Sequence, residues 1–477
     1  MGENIIDRKK FIKNVFFVVF SNSLTLLSGI LIGIVIPKIM GISDFGYYKT
    51  FTLYSSYVGI FHFGFVDGIL LVHAGCSREN LDLNRFRLLG KSMFIFELII
   101  TVLGSFIAMF FLINEYKMLF LFVSLNLFAL NLTTYFEYIV QITMNFKQLS
   151  IRSLIKTSMQ LIAVLLIYIL FKTVNYIISP YVYIAIVVSI NYLLLIWYMI
   201  TYRQFLFGKA EKFDLNTLVF YLKKGFPIMC SNLLIMLIFA VDQIFVNVLF
   251  DKEIYAYYAF AYSMISLITT TTNAISIVFF PTLKNIDDEK ALNQYENFNA
   301  YILIFSALSL CCYQIFCFII DSFLTKYYQS LPILRIVIPM VLITTPITVV
   351  KYNFYKKNNM VNLYFVISII VLVLSIVADI IVYFIYGNTI SISIVSIVIC
   401  LIWNLVIELI FCIKKRKKWI KNMMFLLIIL ACYYGISFIP NLLFSFLSYI
   451  FVSSAMVLVF YFQLLRDNLF KKRSASA

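Results

Sequence analysis

The chain has 477 residues, 63% of them hydrophobic and 13% charged, with a mean hydropathy of +0.97. A soluble domain carries roughly 25% charged residues, so the composition excludes a soluble enzyme or binding module and points to an integral membrane protein, all-α by the helical spans that follow. The formal net charge of +16 sits in short loops between apolar runs, which points to phospholipid headgroups and away from nucleic acid. Eight cysteines without a paired C-x-x-C pattern read as core packing, and with only His62 and His73 present no metal centre is expected.

The opening segment MGENIIDRKKFIKN is basic and leads into a long apolar run without an A-x-A cleavage site. It reads as the start of a first transmembrane helix, not a removable signal peptide. Ile6 stands where a myristoylation signal has its hydroxyl residue. A spanning helix needs about 20 mostly apolar residues. Fourteen such segments follow, near 14–36, 46–73, 91–113, 118–141, 154–171, 179–201, 225–249, 254–281, 299–320, 331–350, 361–386, 389–413, 422–439 and 442–465. Of the 38 Lys and Arg residues, 31 fall on the N-terminus and every second loop, five on the intervening loops, and Lys49 and Arg335 within spans. Lys351 is counted with the loops. Basic residues collect on the cytoplasmic side, so both termini are expected in the cytoplasm of a bacterial cytoplasmic-membrane protein. The run KKRKKWIK (414–421) then reads as a topology anchor.

Sliding the chain by 210 residues lays 20–51 on 230–261, with Ser21-Asn22 on Ser231-Asn232 and Tyr47-Tyr48 on Tyr257-Tyr258. The offset predicts two parallel six-helix lobes, 1–210 and 211–418, related by a pseudo-twofold axis along the membrane normal, with helices 13 and 14 and a basic tail (419–477) appended. Parallel repeats of this sort place a binding site near the midplane between halves. In the second span Thr52, Ser56, Gly59 and His62 recur at helical spacing, as do Ser266, Thr269 or Thr270, and Asn273 in the eighth. Such stripes serve either as helix-packing surfaces or as the walls of a wet cavity.

Several stretches carry a family likeness. GFPIMCSNLLIMLIFAVDQIFV (225–246), with Gly225, Pro227 and Asp242, and the following stretch with Ala256-Tyr257 and Pro281 open the second half. IMGISDFGYYKTFTLY (39–54) is the first-half counterpart, and 330–360 is a tenth helix with a basic loop. Together they resemble the polysaccharide exporters of the multidrug/oligosaccharidyl-lipid/polysaccharide superfamily. The resemblance implies a MATE-like fold with fourteen helices. It also implies a flippase that moves an undecaprenyl-diphosphate-linked oligosaccharide from the cytoplasmic to the outer leaflet by alternating access, for O-antigen, capsule or exopolysaccharide assembly. Expected partners are the lipid-linked oligosaccharide, membrane lipids, a polymerase and a chain-length regulator. No cofactor is expected beyond a coupling H+ or Na+.

A sugar-diphosphate head needs a hydrated path with hydroxyls, amides, aromatics and cations. Lys49 and Arg335 are the cations outside loops, each open to pairing with a diphosphate or to snorkelling at the interface. The first span has no Lys or Arg before Lys38, unlike the arginine-marked lipid II branch the family also contains. An acid within an apolar span costs about 2.5–3.5 kcal/mol on insertion scales, so Asp242 needs a reason. Three roles are open to it: uptake of a driving ion, contact with sugar hydroxyls, or pairing with a neighbouring helix. Asp67 and Asp379 are further ion-coupling candidates, and Glu97, Glu137 and Glu408 further intramembrane acids, Glu97 and Glu137 toward the cytoplasmic side. On a continuous second helix Lys49 would share a face with Asp67, and His62 with His73.

Two rival classes remain. A membrane-bound polymerase or ligase would need a long external loop with catalytic Arg or His, and the external loops here are short. The paired acids of NIDDEKALNQYEN (285–297) lie in a short polar loop, not on the cytoplasmic domain of a glycosyltransferase. An ion-coupled multidrug exporter of the same superfamily would have an acid in its first helix, which 21–37 lacks. No ATP-binding P-loop is present to power the cycle.

Overall fold

The computed structural model describes residues 8–474 apart from 74, 75, 77, 144, 175, 176 and 285. Side chains at 8–23, 80, 146, 273–274, 277–278, 280–282, 284, 465 and 467–474 are not described. Among the described residues every regular element is helical. The chain divides into two compact units, with the boundary between Met236 and Leu237.

The first unit begins with α1 (Arg8–Ile39) and α2 (Ile42–Ser55), followed by a 3-10 segment (Val58–His62) and α3 (Phe65–His73). It continues through α4 (Leu83–Phe111), α5 (Asn114–Ile142), α6 (Phe146–Val174), α7 (Pro180–Thr201) and α8 (Leu215–Ile238). Local chemistry sets several starts. Asp82 accepts from the amides of Asn84 and Arg85 and so caps α4, and Pro180 occupies the first turn of α7. Asp214 accepts from Thr217 Oγ1 at 2.6 Å and from the amides of Asn216 and Thr217 at the start of α8. These bonds, Thr217's hydroxyl foremost, hold its carboxyl below the ordinary Asp value.

The second unit holds α9 (Val241–Leu249), α10 (Lys252–Lys284), α11 (Asp288–Asn293), α12 (Tyr295–Ser309) and α13 (Cys312–Phe323). Next come α14 (Leu331–Val337), α15 (Met340–Thr345), a π-helical segment (Pro346–Lys351) and α16 (Tyr352–Lys357). The last elements are α17 (Val361–Tyr386), α18 (Thr389–Lys415), α19 (Ile420–Ser437) and α20 (Leu442–Ser474). The two appended helices pack within this unit: Tyr449 of α20 donates to the Ala307 carbonyl at 2.8 Å, and Tyr433 of α19 to that of Arg335 at 3.1 Å.

Ten helices among the described residues are long and apolar enough to cross a membrane, or twelve when each of two bent pairs counts as one span. The other two expected spans fall on α1 and α10. The outer faces are apolar: on α17, Val366, Ile370, Val373 and Ile381 are exposed while Ser368, Ser375 and Asp379 are buried. That inversion suits helices solvated by hydrocarbon.

Four expected helices are interrupted, the ninth only by the two-residue turn Leu310–Cys311 between α12 and α13. The second span bends by 61° between its halves, because Phe63 (φ 48°) and Gly64 (φ 78°) adopt the left-handed region. Lys49 and Asp67 therefore do not share one helical face, nor do His62 and His73, and the stripe Thr52–Ser56–Gly59–His62 passes from an α-helix into a 3-10 segment. The seventh span starts ten residues early, at Leu215, and breaks at Phe239–Ala240 before resuming at Val241. The tenth bends by 41° at Ile338–Pro339 and becomes π-helical from Pro346. Proline removes an amide donor and clashes with the preceding turn, which accounts for this last interruption.

Candidate functional site

In the second unit a buried polar column runs along α18. Ser393, Ser396, Cys400, Asn404 and Glu408 recur every three or four residues and all are buried. From Ser393 to Glu408 the helix rises about 22 Å. Two clusters sit along it.

The first surrounds Asp242, which is 2% exposed and lies in the first turn of α9, immediately after the break in the seventh span. Its Oδ1 accepts the Gln243 amide at 2.7 Å. Its Oδ2 accepts the hydroxyls of Tyr258 at 2.8 Å, Ser396 at 2.8 Å and Tyr262. The helix N-terminus adds a favourable partial charge. Asp379 on α17 is fully buried, and neither of its oxygens has a hydrogen-bond partner among the described residues. Asp379 and Asp242 lie close enough to interact electrostatically, and Cys400 feels both. Two of the expected ion-coupling acids thus share one neighbourhood. Among the described residues no group of three His, Cys, Asp or Glu is placed to hold a metal ion.

The second cluster centres on Lys351, read above as a loop residue. It is 2% exposed, because the π-helical segment inserts an extra residue into the turn and aims the side chain inward. Its Nζ lies 2.8 Å from Glu408 Oε2 and donates to Asn404 Oδ1 at 2.6 Å. Tyr295 donates to Glu408 Oε2 at 2.7 Å. Lys351, Asn404, Glu408, Asn299 and Asn422 line a small cleft.

In the first unit the interruption of the second span gathers polar groups. His62 Nδ1 accepts the Gly64 amide at 3.1 Å and stands 3.9 Å from Asp67 Oδ2, while Tyr138 donates to Asp67 Oδ1 at 3.2 Å. The free carbonyl of Val58 is taken by Asn131 Nδ2 at 3.1 Å. Backbone groups released by unwinding are thus satisfied by side chains, as a membrane interior requires. His73, at the opposite end of α3 from the bend, bonds to Tyr221 at 2.8 Å.

The remaining expected residues lie elsewhere. Lys49 sits over the rings of Phe45 and Tyr48, at 5.2 and 5.7 Å. Arg335 donates to Tyr313 at 3.0 Å and stacks on Phe438 at 4.6 Å, so it faces the packing of α13 and the appended helices. Thr52, Ser56, Ser266 and Thr270 bond back to carbonyls of their own helices; Ser56, Ser266 and Thr270 are exposed. The side chain of Asn273 lies outside the described residues. Of the paired acids at 287–288, Asp288 pairs with Lys357 at 3.1 Å. Ser396 and Asn404 had no place in the sequence reading, and Lys351 entered it only as a loop cation. Ser396 and Asn404 were visible as polar residues at helical spacing within 389–413.

The fold is that of solved multi-pass membrane transporters. It is similar to the lipid II flippase MurJ in an inward closed conformation, with 17% identity, a TM-score of 0.68, and coverage of 95% of this chain and 100% of that one. It is also similar to an inward-facing multidrug resistance MATE family transporter of the MOP superfamily, with 12% identity, a TM-score of 0.60, and coverage of 83% and 94%. An outward-facing conformation of a multidrug resistance MATE family transporter gives 12% identity and a TM-score of 0.54 over 85% and 97%. No curated protein matches the sequence. The model of the polysaccharide biosynthesis protein family matches residues 35–306, more than half of the chain, and the chain belongs to that family.

Proposed function

We propose that the protein flips an undecaprenyl-diphosphate-linked oligosaccharide from the cytoplasmic to the outer leaflet of the bacterial cytoplasmic membrane by alternating access. Both termini would lie in the cytoplasm, and the product would feed O-antigen, capsule or exopolysaccharide polymerisation through a polymerase and a chain-length regulator. The observation that carries the reading is a transporter fold in a member of a polysaccharide biosynthesis family. The polar interior supports it. Hydroxyls, amides and carboxylates within apolar helices are costly unless they serve a path or a coupling ion. Asp242 and Asp379 are the coupling acids in the second unit and Asp67 the one in the first, each a taker of H+ or Na+. Exposed hydroxyls such as Ser56, Ser266 and Thr270, with Lys49, His62, Thr52, Asn273 and Arg335, are offered as substrate contacts.

Deletion of the gene tests the reading. The lipid-linked repeat unit should accumulate on the inner leaflet and the surface polymer should disappear, both restored by the wild-type chain. Unchanged polymer with raised sensitivity to cationic drugs would instead identify a drug exporter.

A further inference from the structure

The first unit holds a buried acid that the transport reading leaves unused. Glu97 on α4 is 0% exposed. Its Oε2 accepts Asn131 Nδ2 at 3.0 Å, and the same nitrogen donates to the carbonyl of Val58, the first residue of the unwound segment. Its Oε1 is buried without a hydrogen-bond partner among the described residues, and no ion pair there includes it. Sealed from water and unpaired, a carboxylate neutralises in preference to staying charged.

The surroundings narrow the neutralising species. Among the described residues no group of three His, Cys, Asp or Glu is placed to hold a metal ion, and the Val58 carbonyl is occupied by Asn131, whereas a hard cation takes six or so oxygens. Charged and titratable groups on the packed elements are otherwise engaged. His62 on the 3-10 segment is held by the Gly64 amide, and Asp67 on α3 accepts from Tyr138. On α5, Glu137 interacts with Lys156 and Arg152. On the short turn after α7, Arg203 is exposed. What is left is a proton.

We infer that Glu97 is a proton-binding site of the first unit, linked through Asn131 to the interruption of the second span. The carboxyl carries its proton on Oε1, with Oε2 as the carbonyl held by Asn131. Movement of the 58–64 segment breaks the Asn131–Val58 bond, admits water, and lets the proton pass to it, leaving the carboxylate. Binding of the proton and the position of the segment are then thermodynamically reciprocal. Its use in a transport cycle rests on the function proposed above; the binding itself does not.

Infrared spectroscopy of the full chain in nanodiscs at neutral pH tests the site without any substrate. The protonated-carboxyl C=O absorption of the wild type should lose one carboxyl's component in Glu97→Gln, with any Asp379 contribution left in place, and that component should move to higher frequency in Asn131→Leu, which removes the bond to Oε2. Identical spectra for wild type and Glu97→Gln would overturn the proposal. If Glu97→Gln does not fold, the Asn131→Leu spectrum decides, and an unmoved band overturns it. In liposomes, wild-type flipping should respond to a pH gradient, and the Glu97→Gln protein should lose that response. A retained response overturns the coupling role. Failure of the wild type to flip any lipid-linked sugar would sink the transport reading and leave the infrared result standing.

Discussion

At the scale of single residues, Asp242 and the Lys351–Glu408 pair differ in what their removal exposes. Replacing Asp242 with Val removes the carboxylate acceptor of the Tyr258 and Tyr262 hydroxyls, while Ser396 keeps the Ile392 carbonyl. At about 1–3 kcal/mol for each unsatisfied group, the two tyrosines should bring the loss to at least about 2 kcal/mol in denaturant titration of the detergent-solubilised protein. Asp242→Asn keeps an acceptor and should lie much closer to wild type, so a transport defect in that variant reports on charge and not on folding. For the ion pair, Lys351→Met leaves a buried carboxylate and should cost about 3–5 kcal/mol. Adding Glu408→Gln should recover most of that loss in the same titration; a double variant no better than the single one would show that the pair is not coupled. Asp242 was legible as an acid in an apolar run, and its need for partners followed from physics. Its partners were not legible, because Tyr258 and Ser396 lie 16 and 154 residues away. Lys351 was misplaced because a π-helical turn shifts the face on which every following residue lies, and no residue type announces one.

Among elements, the interruptions decide where the polar groups go. The second span advertises its break in GIFHFGFVDG (59–68), with glycines at 59, 64 and 68. The seventh breaks at Phe239–Ala240, where neither residue is Gly or Pro, so its sequence reads as continuous. In the first unit α8 crosses α3 with backbone in contact. A Cβ on Gly225 would stand 1.8 Å from the Gly64 carbonyl oxygen and 2.3 Å from the Gly68 nitrogen. Backbone cannot yield as a flexible side chain does, so Gly225→Ala should force α8 away from α3 and cost about 3 kcal/mol or more. Gly33→Ala, with nothing within 4 Å of its Cβ, should be neutral or more stable by up to about 1 kcal/mol. Thermal melting of the two proteins side by side checks this contrast, and equal melting temperatures would refute the close crossing.

For the whole molecule, hydropathy and the alternation of basic loops carried the class of protein, because insertion into a bilayer depends on those two properties. The 210-residue offset carried less. In its register α1 is unbroken where α8 and α9 are interrupted, while α2 and α3 are interrupted where α10 is continuous. The topology proposed here predicts that a single cysteine placed at the C-terminus, or within 414–418, is labelled by a membrane-impermeant thiol reagent only after spheroplasts are opened. The central claim, that the protein moves a lipid-linked sugar, is met most directly in reconstituted liposomes. A radiolabelled undecaprenyl-diphosphate oligosaccharide is loaded on the inside, and an external glycosidase reports its arrival in the outer leaflet. Protein-dependent exposure of the sugar, absent from empty liposomes and diminished by Asp242→Asn, is the expected result. Sugar that stays protected with folded wild-type protein, across several candidate glycans and with a pH gradient of either sign, would contradict the account.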